Sequence, residues 1–348
     1  MISMSKIGQI NYDIQFEPIF TNFTFNGIEI ITLTTTTTNT FTLNSAELQI
    51  KNCHLIHKGK TINAKSSLNT KNETLTIKAT KKISGRVKIC IEFTGTLNDR
   101  LLGFYRSKYK DTEGKTKHLA TTQFEAADAR RAFPCWDEPA VKATFDVSLL
   151  IDRHMTAISN MPEKVKKKIN SKVLVEFERT PIMSTYLLYL GVGEFEFIQD
   201  NLRNIKLRVV TTKGNKKKAK LSLDLTKKFL SEYEKYFGIK YPLPKLDMLA
   251  IPDFAAGAME NWGAITFRET ILLYDPKTSS TRTKQYIAEV ISHELAHQWF
   301  GNLVTMKWWN DLWLNESFAT FMATKIVDKF YPEWDLWDQF LDDAMNTA

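Results

Sequence analysis

Hydrophobic and polar residues follow two different spacings along the chain, and the change between them falls near residue 200. Before it, short runs such as Phe23–Phe25, Phe41–Leu43 and Thr74–Lys78 alternate apolar or β-branched residues with polar ones. Alternation with a period of two is typical of strands that bury one face. Turn residues such as Asn26-Gly27 recur between these runs. We therefore predict a β-rich domain over residues 1–198.

After this point the apolar residues recur at helical spacing. Between Lys216 and Phe237 they stand three and four residues apart, which predicts an amphipathic helix. Gly238 ends it, and the prolines of the segment 241–244 bar its continuation. The apolar run Leu246–Ile251 then predicts a buried strand. These elements predict a second domain over residues 199–348 and an α+β fold for the chain.

Two further helices are predicted in the last third of the sequence. The first begins after Ser280 or Thr281 as N-cap and runs to Phe300, where Gly301-Asn302 stops it. It is apolar nearly all round, which predicts that it is buried. The second begins near Asp311.

These two helices carry the residues with the strongest chemical signal. His293 and His297 are four residues apart, so a helix presents both imidazoles to one point. Glu316 follows after eighteen intervening residues. Two imidazoles, a carboxylate and an open position make a catalytic zinc site. Glu294 lies beside that position and would take a proton from a water, so we predict a zinc hydrolase with one Zn²⁺ per chain.

Composition and charge exclude several other classes of protein. The net charge of +8 could indicate nucleic-acid binding, but much of it lies in Lys164–Lys168 and Lys213–Lys220, which lack interleaved aromatic residues. Three cysteines form no even disulfide framework, which fits a reducing compartment. No signal peptide or membrane span is readable, so we expect a cytoplasmic protein without nucleic-acid or membrane partners. The oligomeric state is not readable.

A segment rich in charges and aromatic residues precedes the second domain. Asp128, Arg130, Arg131 and Asp137 are interpreted as a structural ion-pair cluster. Gln123 and Glu125 stand at its start. For these two residues the sequence alone does not decide between a structural role and a role in a functional site.

A second segment has small residues around Glu260. Such a backbone lets an extended peptide approach and add a strand. A tight turn that needs glycine for its own geometry explains it equally well.

Three motifs together resemble the aminopeptidase N family of zinc metallopeptidases, in particular its puromycin-sensitive and tricorn-interacting members. They are His293–Asn302 with Asn315-Glu316, Gly257–Asn261, and the run Gln123–Pro139. The resemblance covers essentially the whole chain. It implies a saddle-shaped antiparallel β domain followed by a thermolysin-like catalytic domain.

The resemblance also implies roles for the residues left open. Glu260 and Glu125 would bind the free α-ammonium group of a peptide substrate, and Gln123 would line the first side-chain pocket. Gly257 and Ala258 would pair their backbone with the peptide, while Met259 and Asn261 would shape the loop. The implied activity is the release of N-terminal amino acids from peptides.

One family feature has no counterpart in the sequence. Family members supply an oxyanion-stabilising tyrosine well beyond the second zinc-binding segment, and Tyr331 comes too early to serve. We therefore expect an incomplete catalytic domain, truncated at its C-terminus. The alternatives are an inactive or weakly active zinc-containing peptide-binding fragment, a general endopeptidase, and an epoxide hydrolase with the same zinc motif.

Overall fold

The structure is a computed structural model that describes residues 8–347, with side chains as far as Asp342. It divides into two compact units. The first comprises the residues up to Ser107 and His118–Gly193, and the second comprises Lys108–Lys117 and the residues from Glu194 onward. The domain limits at residues 198 and 199 stay a prediction. Among the described residues, no helix combines the length and the apolar character that crossing a membrane requires.

The first unit is built from β-strands. The strands up to Gly193 are β1 (Ile10–Ile19), β2 (Thr24–Asn44), β3 (Gln49–His57), β4 (Lys60–Asn69), β5 (Thr74–Thr96), β6 (Gly103–Lys110), β7 (Thr116–Gln123), β8 (Ala143–Asp152), β9 (Thr156–Ser159), β10 (Glu163–Ile169), β11 (Lys172–Phe177) and β12 (Leu190–Gly193). The end of β6 and the start of β7 lie in the segment Lys108–Lys117, which belongs to the second unit. In the described residues one sheet has the order β10-β11-β8-β1-β2-β5-β3-β4, and another has the order β6-β7-β12-β9. Within the larger sheet, β1 and β8 are parallel and the other neighbours are antiparallel. The predicted β-rich first part is confirmed.

The core of this unit lies on one face of β2 and β5. In β2 the odd-numbered residues from Phe25 to Leu33 are buried. Two glycines make room for aromatic rings there, because a Cβ at Gly27 would lie 2.2 Å from Phe93 and a Cβ at Gly95 would lie 2.2 Å from Phe25. The packed rings include Tyr12, Phe16, Phe25, Phe93, Phe104, Phe133 and Phe145.

The charged segment near residue 130 forms the predicted ion-pair cluster. Arg130 Nε lies 3.0 Å from Asp137, and Arg131 Nε lies 2.7 Å from Asp128. Both guanidinium groups also contact Glu73, each at 3.1 Å. The interpretation of these residues as structural is confirmed.

The second unit combines one sheet with helices. Its strands are β13 (Phe195–Leu202), β14 (Ile205–Thr212), β15 (Lys245–Ile251), β16 (Ala258–Met259) and β17 (Ala264–Arg268), in the order β13-β14-β15-β17-β16. β14, β15 and β17 are parallel, whereas the two outer strands are antiparallel to their neighbours. Its helices are α1 (Lys220–Phe237), α2 (Glu269–Leu272), α3 (Thr281–His297), α4 (Trp313–Phe330) and α5 (Leu336–Thr347). The predicted α+β fold class is confirmed.

The ends of the helices follow local chemistry. Gly238 ends α1 in the left-handed conformation, with φ of 68°, as predicted. Ser280 is the N-cap of α3, because its hydroxyl oxygen accepts a hydrogen bond from Thr283 N–H at 3.1 Å. The predicted end of this helix at Phe300 is wrong. The helix stops at His297, since the chain turns back and Asn302 N–H donates to the His297 carbonyl at 3.1 Å.

The start of α4 lies near the predicted position. Asp311 lies in a 3₁₀ turn, and the α-helix begins at Trp313. Glu316 is therefore in its first turn, close to the point at which the chain enters the helix.

Candidate metal and substrate site

Three side chains of α3 and α4 converge on one point in the second unit. The Nε2 atoms of His293 and His297 are 2.9 Å apart. Glu316 Oε2 lies 3.3 Å from Nε2 of His293 and 3.6 Å from Nε2 of His297. Atoms that bind one zinc ion tetrahedrally at 2.0–2.2 Å are about 3.3–3.6 Å from one another. Two of the three distances fall in that range and the third is slightly shorter, so this donor set fits zinc.

Neighbouring groups orient the two imidazoles. His297 Nδ1 lies 2.9 Å from the Phe300 carbonyl oxygen, and His293 Nδ1 lies 3.4 Å from the Thr320 hydroxyl. A carbonyl oxygen can only accept, so Nδ1 of His297 carries a proton and Nε2 is the nitrogen that faces the other two groups. This arrangement is typical of histidines that bind a metal.

Contacts from α1 and from Ile239, two residues beyond it, hold the end of α3 that carries both histidines. Tyr233 donates to the carbonyl oxygen of Ser292 at 2.9 Å, directly before His293. Trp299 Nε1 donates to the carbonyl oxygen of Ile239 at 3.1 Å. The position of the imidazoles is therefore fixed by the packed interior of the unit.

The electrostatics of the three groups favour a positive charge between them. Burial lowers the pKa of His293, although the hydrogen bond to Glu316 opposes this shift. Burial also lowers the pKa of His297, but Glu260, Glu316 and Glu294 outweigh it and raise the value to about 10. Burial raises the pKa of Glu316, yet hydrogen bonds to both histidines bring it well below its ordinary range. Carboxylates that draw a proton onto an imidazole would also stabilise a bound cation.

Two more glutamates lie in the buried part of the site. Glu294, which follows the first histidine, is 5% exposed, and Glu260 is 3% exposed. A carboxylate oxygen of Glu260 lies within 4.8 Å of one of Glu316. Burial raises the pKa of Glu260 above its ordinary value, the His297 charge opposes this, and the Glu316 charge adds to it. Within the described chain, Glu260 Oε1 is buried and accepts no hydrogen bond.

The segment before Glu260 forms the edge of the sheet. Ala258 and Met259 make up β16, which pairs with β17 on one side and is the last strand in the order. Gly257 precedes it, with its carbonyl bonded to Arg268 N–H at 2.9 Å. Asn261 is buried and donates to the Thr266 hydroxyl at 3.2 Å. Both earlier interpretations have support, because the segment is an edge strand that leads into a tight turn.

Two buried amides of the site are residues for which the sequence predicts no role. Gln298 and Asn302 both donate to the carbonyl oxygen of Glu260, at 3.4 and 2.9 Å. Their only signal in the sequence is the occurrence of amide side chains within an otherwise apolar stretch after the second histidine.

Gln123 and Glu125 belong to the first unit. Gln123 is the last residue of β7, and Glu125 follows the fully buried Phe124. Both side chains are half-buried. Their roles in substrate binding stay predictions.

Two family models and several known proteins are similar in sequence to most of the chain. The model of the peptidase M1 N-terminal domain matches residues 9–187, and that of the peptidase family M1 domain matches residues 221–348. The chain is 45% identical over 334 residues to aminopeptidase M1-D of Oryza sativa subsp. japonica, covering 95% of the chain and 38% of that protein. It is 44% identical to aminopeptidase M1 of Arabidopsis thaliana, covering 96% of the chain and 39% of that protein.

A similar match joins the chain to an animal protein. It is 44% identical to the puromycin-sensitive aminopeptidase of Caenorhabditis elegans, covering 96% of the chain and 36% of that protein. The chain thus spans less than two fifths of the length of these relatives. The family predicted from the three motifs is confirmed, and the chain belongs to peptidase family M1.

Proposed function

We propose that this chain carries the zinc-binding and proton-transfer residues of an aminopeptidase that releases N-terminal amino acids from peptides. The observation that carries the proposal is the convergence of His293 Nε2, His297 Nε2 and Glu316 Oε2 at 2.9, 3.3 and 3.6 Å. These three atoms would hold one zinc ion. Bound there, zinc would lower the pKa of a water molecule and polarise the peptide carbonyl.

Glu294 would be the general base and acid. It is adjacent to His293 on α3 and nearly buried, so its carboxylate would act in a site with little water. It would accept a proton from the attacking water and deliver it to the nitrogen of the leaving amine. No further proton carrier is needed in this scheme.

Glu260 would select the substrate by its free amine. Its carboxylate lies within 4.8 Å of that of Glu316, so an ammonium group bound to it would stand close to the ligand cluster. This short separation supports cleavage after the first residue. A substrate whose amine is acetylated would bind less well, because it would leave the buried carboxylate without a cation to pair with.

The edge strand β16 would bind the peptide backbone. An extended peptide can add to the edge of a sheet through main-chain hydrogen bonds. Gly257 and Ala258 offer this edge without bulky side chains. The peptide would then begin with its amine at Glu260 and place its first peptide bond beside the histidines.

The experiment that tests this function is the substitution Glu294→Gln. We expect an unchanged zinc content, measured by atomic absorption, and a loss of about 10²–10⁴ in turnover of a leucine chromogenic amide. The exposed Glu333→Gln is the control and should keep both. Normal turnover in Glu294→Gln would overturn the assignment of the base.

The wild-type protein separates the alternatives in the same assay. Zinc and peptide binding without turnover would identify a zinc-containing peptide-binding protein. Cleavage of N-acetylated peptides as fast as free ones would identify an endopeptidase.

A further inference from the structure

The backbone of Glu260 is held by the segment that follows the metal-site helix. Its carbonyl oxygen accepts from Asn302 Nδ2 at 2.9 Å and from Gln298 Nε2 at 3.4 Å. Glu260, Gln298 and Asn302 are 3%, 1% and 0% exposed. In such a dry interior a hydrogen bond holds its partners firmly, because its loss leaves polar groups without water.

The same two amides are tied to the candidate zinc ligands. Gln298 follows His297 directly, and its side chain also donates to the Glu294 carbonyl at 3.0 Å. Asn302 donates its backbone N–H to the His297 carbonyl at 3.1 Å. Asn302 therefore connects His297 to Glu260 directly, because its backbone binds the one and its side chain binds the other.

The far end of the Glu260 loop has its own support. The carbonyl oxygen of Gly263 accepts from Lys245 Nζ at 2.7 Å and from Asp247 N–H at 3.1 Å. These contacts attach the loop to β15 and do not involve the metal-site helix. A substitution at Asn302 would thus remove the shorter of the two contacts to the Glu260 carbonyl, while Gly263 stays attached.

We propose that Asn302, assisted by Gln298, is a positioning residue that fixes Glu260 relative to His297 and thereby sets the preference for ligands with a free amine. This inference rests on the proposed role of Glu260. The buried Glu260 Oε1, which accepts no hydrogen bond in the described chain, is the group that would receive the amine. A displacement of about 1 Å in such a group weakens its contact with a ligand held elsewhere.

The test compares two hydroxamates on the zinc-loaded protein by titration calorimetry. Leucine hydroxamate carries the amine, and 4-methylpentanehydroxamate is the same molecule without it. The dissociation constant of 4-methylpentanehydroxamate divided by that of leucine hydroxamate measures what the amine contributes to the affinity. We expect Asn302→Leu to lower this ratio about tenfold, the effect of one hydrogen bond, and to leave the affinity for 4-methylpentanehydroxamate unchanged.

Two reference variants separate positioning from general damage. Glu260→Gln should lower the ratio further than Asn302→Leu does, because it removes the carboxylate itself. Asn160→Leu removes a matched buried amide, which donates to the Leu187 carbonyl at 2.7 Å in the first unit, and should leave the ratio unchanged. A ratio that Glu260→Gln lowers and Asn302→Leu does not would overturn the inference.

The outcomes also distinguish this inference from the proposed function. If the wild-type protein binds both hydroxamates equally, the role of Glu260 itself is wrong. If Asn302→Leu does not fold, Gln298→Met decides. It should lower the ratio by a smaller factor than tenfold, because its contact is longer, and an unchanged ratio would overturn the inference.

Discussion

Glu29 and Glu260 are both glutamates buried in the interior, one in each unit, and their surroundings differ. They are 0% and 3% exposed, and burial raises the pKa of both carboxyl groups. Glu29 lies on β2, where burial is the sole resolved cause of its shift. Neither of its carboxylate oxygens accepts a hydrogen bond from the described residues. Glu260 instead has the opposing charge of His297 nearby and a main chain held by two amides.

The difference shows what a buried carboxylate requires in order to bind a ligand and not merely to destabilise the fold. Strand register alone places Glu29, since its neighbours Gly27 and Ile31 on the same face are buried too. Glu260 is placed by hydrogen bonds to residues next to the candidate ligands. Only Glu260 is therefore expected to gain a cationic partner when a ligand binds.

Asp137 provides the intermediate case, a buried carboxylate that already has its partners. Arg130→Met should reduce the free energy of unfolding by about 3–5 kcal/mol, because it leaves Asp137 charged and buried at 1% side-chain exposure. Denaturant unfolding measures this. Adding Asp137→Asn should recover part of the loss, since no charge then remains buried. A loss below about 1 kcal/mol would mean that the cluster contributes as little as a surface ion pair.

Glu260→Gln should have the largest effect on function. A hydrogen bond to a charged group contributes about 1.5–3 kcal/mol, so kcat/KM for free-amine substrates should fall about 100-fold. Stability should hold or rise, because the variant removes a buried carboxylate. If activity is kept and stability falls, the two glutamates do not differ in the way described.

Glu29→Leu should give the reverse result. Removing a buried carboxyl group without hydrogen bonds should raise the free energy of unfolding by about 1–3 kcal/mol and leave activity unchanged. Glu92→Gln is the control, because it lies on the exposed face of the neighbouring strand β5. Destabilisation by Glu29→Leu would indicate that the carboxyl group has a structural partner.

The smallest effect concerns pH. The folded-state pKa of Glu29 is raised, so its contribution to stability is complete below its unfolded pKa, near 4.3, and is lost as the pH rises towards the folded value. The slope should approach about 1.4 kcal/mol per pH unit in that window. Burial is the main cause of the raised pKa values of Tyr12, Cys53 and Cys135, and the Glu29 charge adds to each of them. Glu29→Gln should remove the slope, and an unchanged slope in this variant would assign it to other groups.

The sequence predicts α1, β15 and the start of α3 because their signals are local. Gly238 and Ser280 are an αL stop and an N-cap whose chemistry depends on the nearest residues. The end of α3 was missed because it depends on Asn302, which bonds both His297 and Glu260. No spacing in the sequence reveals a contact of that kind.

The burial of Glu29 could not be predicted from its own neighbourhood. The local order Ile28-Glu29-Ile30 favours isoleucine inside and glutamate outside, yet Ile28 is 50% exposed. The register of the whole strand decides, because Phe25, Ile31 and Leu33 bring their shared face into the core. In the candidate site, by contrast, two histidines four residues apart on a helix are enough to predict convergence.

The most direct measurement of the central claim is zinc binding by equilibrium dialysis in the wild-type protein, Glu316→Gln and Glu260→Gln. Both glutamates are close to the histidines, but only Glu316 has an oxygen within 3.3 and 3.6 Å of both Nε2 atoms. We predict one zinc per chain in the wild type, a loss of affinity above about 100-fold in Glu316→Gln, and a change below about tenfold in Glu260→Gln. Wild-type affinity in Glu316→Gln, or no zinc in the wild type, would contradict the three-residue site.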